Sequence, residues 1–485
     1  MTPPPEQPPG PPRRSSVRFR RGLRFLPLLG VIYCLYSAGP AGIEEIVPTS
    51  GPGLTLILIL LMPILYGLPL GLASGELSSR YPVEGGYYRW VREVFGEYWG
   101  FQCGWWSWLG AFFDGALYAV LVAEYSYDYL PGAWRPVARY VIPLLVIVVS
   151  TWINVRGIEL VGWSTLLFNI FLLCPFAVMC VMGAFHWNHN PFAPVTPPGK
   201  GLFKALGVGM LFMMWNYSGY ESLSTAAEEV EDPRRNYIRA ILLAIAITIP
   251  TYFVPLLVGL AVAPDWSTLS AGSFTDLGQI IGGRTLALWI AAAGIVSNVA
   301  LSNTNLLAYS RIPMTMAEDG YFSKTFTRTH RVHGTPWVAL LVTALGYAVL
   351  VGMSVEALAV VEMWVFSAVY IQIFLALWRL RTREAAAGGA ATAARAGAAG
   401  NTSGAAGNIG AVEGGGGYRF IIPFGRRGIW WVILPPMSLI VVSMFASGQE
   451  YILWGGPVIL SGFAAYPVVA WWKRRRARLD PAGAS

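Results

Sequence analysis

Ser37-Ala38-Gly39-Pro40-Ala41-Gly42-Ile43-Glu44-Glu45 interrupts the first long apolar segment of this 485-residue chain, and Trp215-Asn216-Tyr217-Ser218-Gly219-Tyr220-Glu221-Ser222 interrupts another near its middle. Each break combines small residues with carboxylates. Irregular backbone and charge at membrane depth persist only where they line a cavity or are buried in protein. Two such breaks at corresponding places in two halves of a chain imply a substrate site between them, as in secondary transporters. The plainer alternative is a pair of kinked helices whose polar groups are satisfied internally.

Composition sets the solvent. Hydrophobic residues make up 55% of the chain and charged residues 12%, and the mean hydropathy is +0.52, which implies an all-α membrane protein. The 20 Trp, 23 Tyr and 23 Phe suit helix ends anchored at two interfaces and an aromatic-lined pocket. Cys34, Cys103, Cys174 and Cys180 lie in or beside apolar segments without metal-ligand spacing, so neither a metal nor a disulfide framework is implied. The first residues are a Pro-rich run and a basic cluster from Arg13 to Arg24 with no small-residue cleavage site, and no removable signal peptide is expected. The polar positions contain no nucleophile–base pair, so an enzyme is a poor fit and no cofactor is called for.

Twelve apolar stretches are long enough for a hydrocarbon core of about 30 Å: 24–48, 54–77, 98–130, 137–154, 159–184, 202–227, 238–262, 284–312, 336–353, 357–379, 428–447 and 452–472. Twelve crossings put both termini on one side, and the basic residues identify it. Of the 34 Lys and Arg, only Arg135, Arg139, Lys200, Lys204 and Arg284 fall on the side opposite the termini, a bias that places both ends in the cytoplasm. The net charge of +8 therefore reports topology, and nucleic acid is not an expected partner.

The order of the segments predicts a five-plus-five inverted repeat, with segments 1 and 6 broken and segments 3 and 8 long, followed by two accessory helices. The expected organisation is a Pro/Arg-rich cytosolic stretch at 1–22, a ten-helix core at 23–380, an Ala/Gly loop at 381–427, accessory helices at 428–472 and a basic tail at 473–485. Lys473-Arg474-Arg475-Arg476 reads as a stop-transfer flank against membrane lipid rather than as specific lipid recognition. Asn401-Thr402-Ser403 matches a glycosylation acceptor but falls in the cytosolic loop, and we discard it.

Intramembrane carboxylates carry the chemistry. Glu44 and Glu45 occupy the first break, Glu221 the second, Asp114 and Glu124 segment 3, and Glu362 segment 10, whereas no Lys or Arg lies in the middle of any span. A buried ionised acid without a partner costs several kcal/mol. The expected partners are thus a cationic substrate, a proton or a coupling cation, with permanent protonation or hydrogen bonding to Ser, Asn or water as the alternative. Asp114 and Tyr118 are four apart and share a helix face. Free amides of the half-helix after the first break would welcome a carboxylate, but Glu44 and Glu45 follow at once and can occupy that field. Trp215 and Tyr220 flank the second break and could cover an ammonium group, worth about 0.5–2 kcal/mol.

At these residues a resemblance becomes specific. Trp215 to Thr225, followed by Glu228-Glu229-Val230-Glu231-Asp232-Pro233-Arg234-Arg235-Asn236-Tyr237, resembles the sixth helix and following loop of the amino acid–polyamine–organocation (APC) transporters. Gly100-Phe101-Gln102-Cys103-Gly104-Trp105-Trp106-Ser107-Trp108, continuing to Asp114-Gly115-Ala116-Leu117-Tyr118, is similar to the third helix of their plant and protozoan polyamine-uptake branch. Gly39 to Glu44 resembles that branch's first-helix break, Pro82 to Tyr87 the loop before its third helix, and Tyr418-Arg419-Phe420 with Pro423 the motif before its eleventh.

The resemblance implies the LeuT-like APC fold and a substrate site formed by Gly39, Gly42, Glu44, Asp114, Tyr118, Trp215, Tyr220 and Glu221. Trp215 matches the aromatic that closes over substrate in arginine/agmatine exchangers, and Glu221 an acid linked to substrate or proton handling. Asp114 matches a helix 3 pocket residue that is Asn in those exchangers, and Glu44 an acid where amino-acid carriers have an apolar or small residue. Tyr220 replaces a more frequent Trp. Segment 5 has no Lys, which some proton-coupled relatives use in place of a sodium site, so the coupling ion is not assigned by resemblance; Glu221, Glu124 and Glu45 are the candidates for a coupling proton. The loop from Pro131 to Pro136 lacks the Cys that ties heteromeric relatives to a heavy chain, and no disulfide-linked partner is expected.

The mechanism these readings imply is alternating-access import of a polyamine at the plasma membrane, with proton symport favoured by resemblance. A trivalent polyamine crossing 100 mV gains roughly 7 kcal/mol, enough for potential alone to drive accumulation. The alternatives are a cationic or neutral amino-acid carrier on the same fold and a transporter-derived nutrient receptor.

Overall fold

The computed structural model describes residues 25–37, 39–80, 85–157, 163–199, 201–219, 233–263, 265–399, 422 and 425–479. Every regular element among them is helical. The first segment opens with α1 (Phe25–Tyr36), breaks at Ser37, resumes as a 3₁₀ turn (Ile43–Ile46) and ends in the single turn α2 (Val47–Ser50). Gly39 (φ 98°) and Gly42 (φ 96°) hold left-handed backbone. That conformation disfavours a Cβ, so the small-residue run carries the interruption.

The second segment consists of α3 (Pro52–Met62), a π-helical turn (Pro63–Gly67) and α4 (Leu68–Arg80). Pro63 lacks the N–H that would continue the α-helical ladder, which accounts for the wider turn. There follow α5 (Gly86–Phe95), α6 (Glu97–Glu124), α7 (Arg135–Val155), α8 (Trp163–Gly183), α9 (Leu202–Asn216), α10 (Pro233–Val262), α11 (Ser273–Glu318), α12 (Trp337–Leu350), α13 (Val355–Ala399), α14 (Gly425–Ala446) and α15 (Gln449–Leu479). Among the described residues, nine stretches are long and apolar enough to cross a bilayer, and α9 and α12 are shorter apolar helices.

Two features refine the sequence reading. Within α11 the backbone is non-helical at Gly283 (φ 70°, ψ −169°), so the long span begins after it, where hydropathy put the start of segment 8. The helix of segment 10 continues to Ala399, so the first part of the Ala/Gly stretch from 381 is helix and not loop. Alanine has the highest helix propensity, and a run of it extends a helix already nucleated by packing. Residues 400–421 lie outside the described residues.

α6 is the hub. Its span is 89% buried, against 11% for that of α15, and it packs against α5, α7, α11, α12, α13 and α15. Small residues let its neighbours approach: a Cβ at Gly115 would lie 2.0 Å from the Tyr347 ring of α12. Outward faces are apolar, as at Val349, Phe445, Leu453 and Leu460, and exposed Trp430, Trp431, Trp471 and Trp472 stand near basic helix ends, as expected at membrane interfaces.

Charges concentrate where α4, α11 and α15 finish and around Arg381 within α13. Asp319 accepts hydrogen bonds from Tyr88 (2.6 Å) and Arg89 (3.0 Å) and pairs with Arg92 at 2.7 Å. Arg92 and Lys473 also reach Glu97. The fully buried Glu76 pairs with Arg80 and Arg381 and accepts the Ile422 N–H at 2.9 Å. These acids tie α4, α5, α6, α11, α13 and α15 together.

Candidate functional site

Asp114 lies midway along α6, about 15 Å of helix rise from Glu124. Its side chain is buried. Trp215, near the C-terminal end of α9, donates its indole N–H to Asp114 Oδ1 at 3.2 Å. Tyr118, one turn further along α6, and Glu362 of α13 are further side chains that interact with Asp114. None of these partners of Asp114 is a Lys, Arg or His.

Trp215 sits over this group. Its ring is 6.0 Å from that of Tyr118 at a tilt of 36° and 5.5 Å from that of Phe212. α9 ends immediately after it, because Tyr217 leaves helical backbone (φ −119°, ψ 28°) and Gly219 is left-handed (φ 105°). The Tyr217 hydroxyl donates to the carbonyl of Ile59 at 2.8 Å, fixing the break against α3.

A cavity of about 20 Å³ adjoins Tyr118 and Trp215, and Ser37, Ala41, Leu121, Asn216, Tyr252, Ser297, Asn298 and Leu301 complete its lining. Both breaks, α6, α10 and α11 therefore converge on one place. The volume holds about one water molecule. Asp114 is not among the lining residues, whereas its neighbours Trp215 and Tyr118 are.

The first break forms a different group. Glu44 is fully buried; its Oε2 accepts the Gly42 N–H at 2.9 Å, and its Oε1 accepts the Tyr125 hydroxyl at 2.7 Å and the Gly272 N–H at 2.9 Å. Gly42 N–H is also 3.2 Å from the Tyr125 hydroxyl oxygen. Glu44 thus fastens the break to the end of α6 and the start of α11. It is not among the cavity-lining residues, where the sequence reading had it facing the cation. Its neighbour Glu45 accepts the Ala271 N–H at 2.7 Å and interacts with Glu356 and Glu124. Leu121 joins the two regions, since it lines the cavity and lies 3.2 Å from where a Gly42 Cβ would be.

The structure accordingly brings Asp114, Tyr118 and Trp215 together and sets Gly42, Glu44, Glu45 and Glu124 apart from them. Gly39 stays with the break, its N–H 3.4 Å from Ser37 Oγ. Tyr220 and Glu221 lie outside the described residues. Sequence reasoning had left Glu362 out of the site and had not considered Tyr347. An intramembrane acid in segment 10 was the available signal for the first; the second gave none. Among the described residues no group of three His, Cys, Asp or Glu side chains converges as a metal site.

Comparison with known proteins fits this arrangement. Residues 25–409 match the amino acid permease family. The chain is 33% identical over 363 residues to the polyamine transporter RMV1 of Arabidopsis thaliana, covering 75% of this chain and 74% of that protein. It is 29% identical over 477 residues to the polyamine transporter PUT1 of Oryza sativa subsp. japonica, covering 96% and 81%. A more distant relative, 26% identical over 327 residues, is the serine/threonine exchanger SteT of Bacillus subtilis (strain 168), covering 64% and 72%. Helical, multiply spanning and matched along most of its length to transporters rather than enzymes, the chain belongs to the amino acid permease family of the APC superfamily.

Proposed function

We propose that this protein imports polyamines of the putrescine and spermidine class by alternating access. The observation that carries the reading is Asp114: a buried aspartate that accepts the Trp215 indole N–H and interacts with Tyr118 and a second acid, with no cation of the protein among these partners. An organic ammonium group is the partner of matching charge. The names of the plant relatives, two of which are polyamine transporters, support the same substrate class.

The first break supports polyamine over amino acid. The Gly42 N–H, an amide that would receive a substrate carboxylate, is occupied by Glu44. An amino acid would have to compete with that fixed charge, whereas a polyamine has no carboxylate to place.

In this reading the substrate enters between the two breaks, displaces the Trp215 indole from Asp114 and lies against Tyr118, with Trp215 and Tyr220 as its cover and Glu221 as a further acid. α1 and the broken sixth segment rock against α6 and α11. Nine long apolar stretches and the shorter apolar helices α9 and α12, with the broken first segment, support a count of twelve crossings, arranged as a five-plus-five repeat with two accessory helices and both ends in the cytoplasm of a plasma-membrane protein. The membrane potential, with a proton on one of the carboxylates, supplies the drive.

The test is uptake of labelled putrescine, spermidine, arginine and leucine by proteoliposomes, with and without an imposed pH gradient and potential. Accumulation of putrescine at inside-negative potential, inhibited by agmatine far better than by arginine, is expected. Arginine or leucine uptake that ignores excess putrescine would sink the proposal.

A further inference from the structure

Two buried asparagines line the small cavity, and each has its amide nitrogen committed elsewhere. Asn216, the last residue of α9, donates its Nδ2 to the Phe212 carbonyl at 2.9 Å, and Asn298 of α11 donates its Nδ2 to the Gly294 carbonyl at 2.8 Å. A carbonyl oxygen only accepts, so each amide turns its NH2 group toward its own helix and has its Oδ1 left to offer the cavity. Ser37 of the first break lines the same space. Its Oγ accepts the Gly39 N–H at 3.4 Å, which leaves a second lone pair. The lining thus draws acceptors from the first break, the second break and α11, and among the described residues it contains no charged side chain. Asp114, with Glu362 and Tyr347 interacting with it, lies outside that lining. Trp215 and Tyr118 belong to both places: each lines the cavity, the indole donates to Asp114, and their rings are 6.0 Å apart.

We propose that this cavity is a second, uncharged subsite that holds the far ammonium group of a diamine or polyamine whose near end is on Asp114. An ammonium group has three donors and no acceptor, and Asn216 Oδ1, Asn298 Oδ1 and Ser37 Oγ are three acceptors without a built-in donor to repel it. The space of about 20 Å³ admits one group the size of a water molecule, which an ammonium is. Spacing agrees along α6, where Tyr118 and Leu121 stand about 6 and 10.5 Å of helix rise beyond Asp114. A four-carbon diamine holds its nitrogens about 6 Å apart across five bonds of about 1.5 Å, and a triamine with one three-carbon and one four-carbon spacer holds its outer pair about 11 Å apart. The methylenes between them pass over Trp215 and Tyr118, whose faces suit an apolar chain next to a cation. Because the acceptors come from both breaks and α11, a diamine ties these segments together where a monoamine reaches Asp114 alone. The proposal rests on the polyamine reading and adds where the second nitrogen goes.

Competition binding on the full chain in lipid nanodiscs, with putrescine and with n-butylamine, reads the second subsite directly, because the two ligands share a four-carbon chain and differ by one nitrogen. The wild type should bind putrescine about tenfold or more tighter than butylamine, as a hydrogen-bonded charged group would give. Asn298→Leu and Asn216→Leu should each cut that preference several-fold and leave butylamine affinity unchanged, since the Asp114 end is intact. Asn298→Ser guards against a Leu variant that does not fold: its hydroxyl can donate to the carbonyl four residues back, as Ser107 does to Cys103 at 2.6 Å, and still accept. Its preference for putrescine should fall between those of the wild type and Asn298→Leu, or below the wild type's where the Leu variant cannot be made. A preference for putrescine that all three variants retain in full, or a loss of affinity that butylamine shares equally, would overturn the subsite and leave putrescine as the substrate. Equal binding of the two amines by the wild type would do the same. A wild type that binds arginine but neither amine would overturn the polyamine reading and the subsite with it.

Discussion

Asp319 and Asp114 are both largely buried aspartates, and their surroundings are opposite. Asp319, at the end of α11, is gripped by Arg89, Arg92 and the Tyr88 hydroxyl. Asp114, in the middle of α6, has an indole, a phenol and another acid. Glu76 belongs with Asp319, held by Arg80 and Arg381. An acid whose countercharge is built into the protein is a strut between helices; an acid left without one is available to a cation from outside. Position alone does not make the difference, because Glu76 is as inaccessible as any acid in the chain.

Breaking a strut should have the largest effect. Glu76→Gln leaves Arg80 and Arg381 without their buried counterion, a loss of about 3–5 kcal/mol. A clear fall in the thermal unfolding midpoint in detergent is expected, with putrescine still bound by the folded fraction. An unchanged midpoint would remove Glu76 from the class of struts.

Asp114→Asn should do the reverse. Expression and melting stay near wild type, while the apparent affinity for putrescine weakens by about 2–5 kcal/mol, roughly 30-fold or more. Unaltered uptake kinetics would take Asp114 out of the site.

Glu44 is the intermediate case, an acid satisfied by backbone and phenol donors instead of cations. Glu44→Gln turns an acceptor against one of its N–H donors and should cost about 1–3 kcal/mol of stability, with the apparent affinity for putrescine changed less than about tenfold and discrimination against arginine weakened, because the fixed charge at the Gly42 N–H is gone. Abolished uptake at an unchanged midpoint would return Glu44 to the substrate, where the sequence alone had placed it.

The smallest effect is expected of Trp215→Phe. The ring and its cover remain, and only the N–H to Asp114 is lost, about 1 kcal/mol. A several-fold change in putrescine affinity would be measured by competition binding, and a loss as severe as that of Asp114→Asn would mean that the indole N–H, not the ring, is what matters.

Much of this was legible in the sequence because it is local. Hydropathy located the nine long apolar stretches among the described residues, the Gly-Pro-Ala-Gly run located the first break, and the end of α9 falls next to Trp215 as the second break implied. Asp114, Tyr118 and Trp215 were chosen on residue type and spacing, and they do meet. What escaped depends on tertiary contact. Nothing local says that Glu362 reaches Asp114 from another helix, or that the Gly272 N–H comes to Glu44 from the start of α11. Two acids on one break looked alike as letters; folding sends Glu44 to Tyr125 and Gly272, and Glu45 to Ala271. The Ala/Gly run misled for a related reason, since its composition suits a linker while its alanines also extend a helix that is already formed.

The account comes down to which acid a polyamine engages, and ligand-induced stabilisation reads that directly. Saturating putrescine at about 100 times Kd should stabilise the folded protein by about 2.7 kcal/mol. The thermal midpoints of wild type and Glu76→Gln should both rise on adding putrescine, the second from a lower starting value, and that of Asp114→Asn should rise by about a third as much or less, because a roughly 30-fold weaker Kd leaves the same putrescine at about three times Kd. An Asp114→Asn midpoint that rises as far as the wild type's would contradict the account.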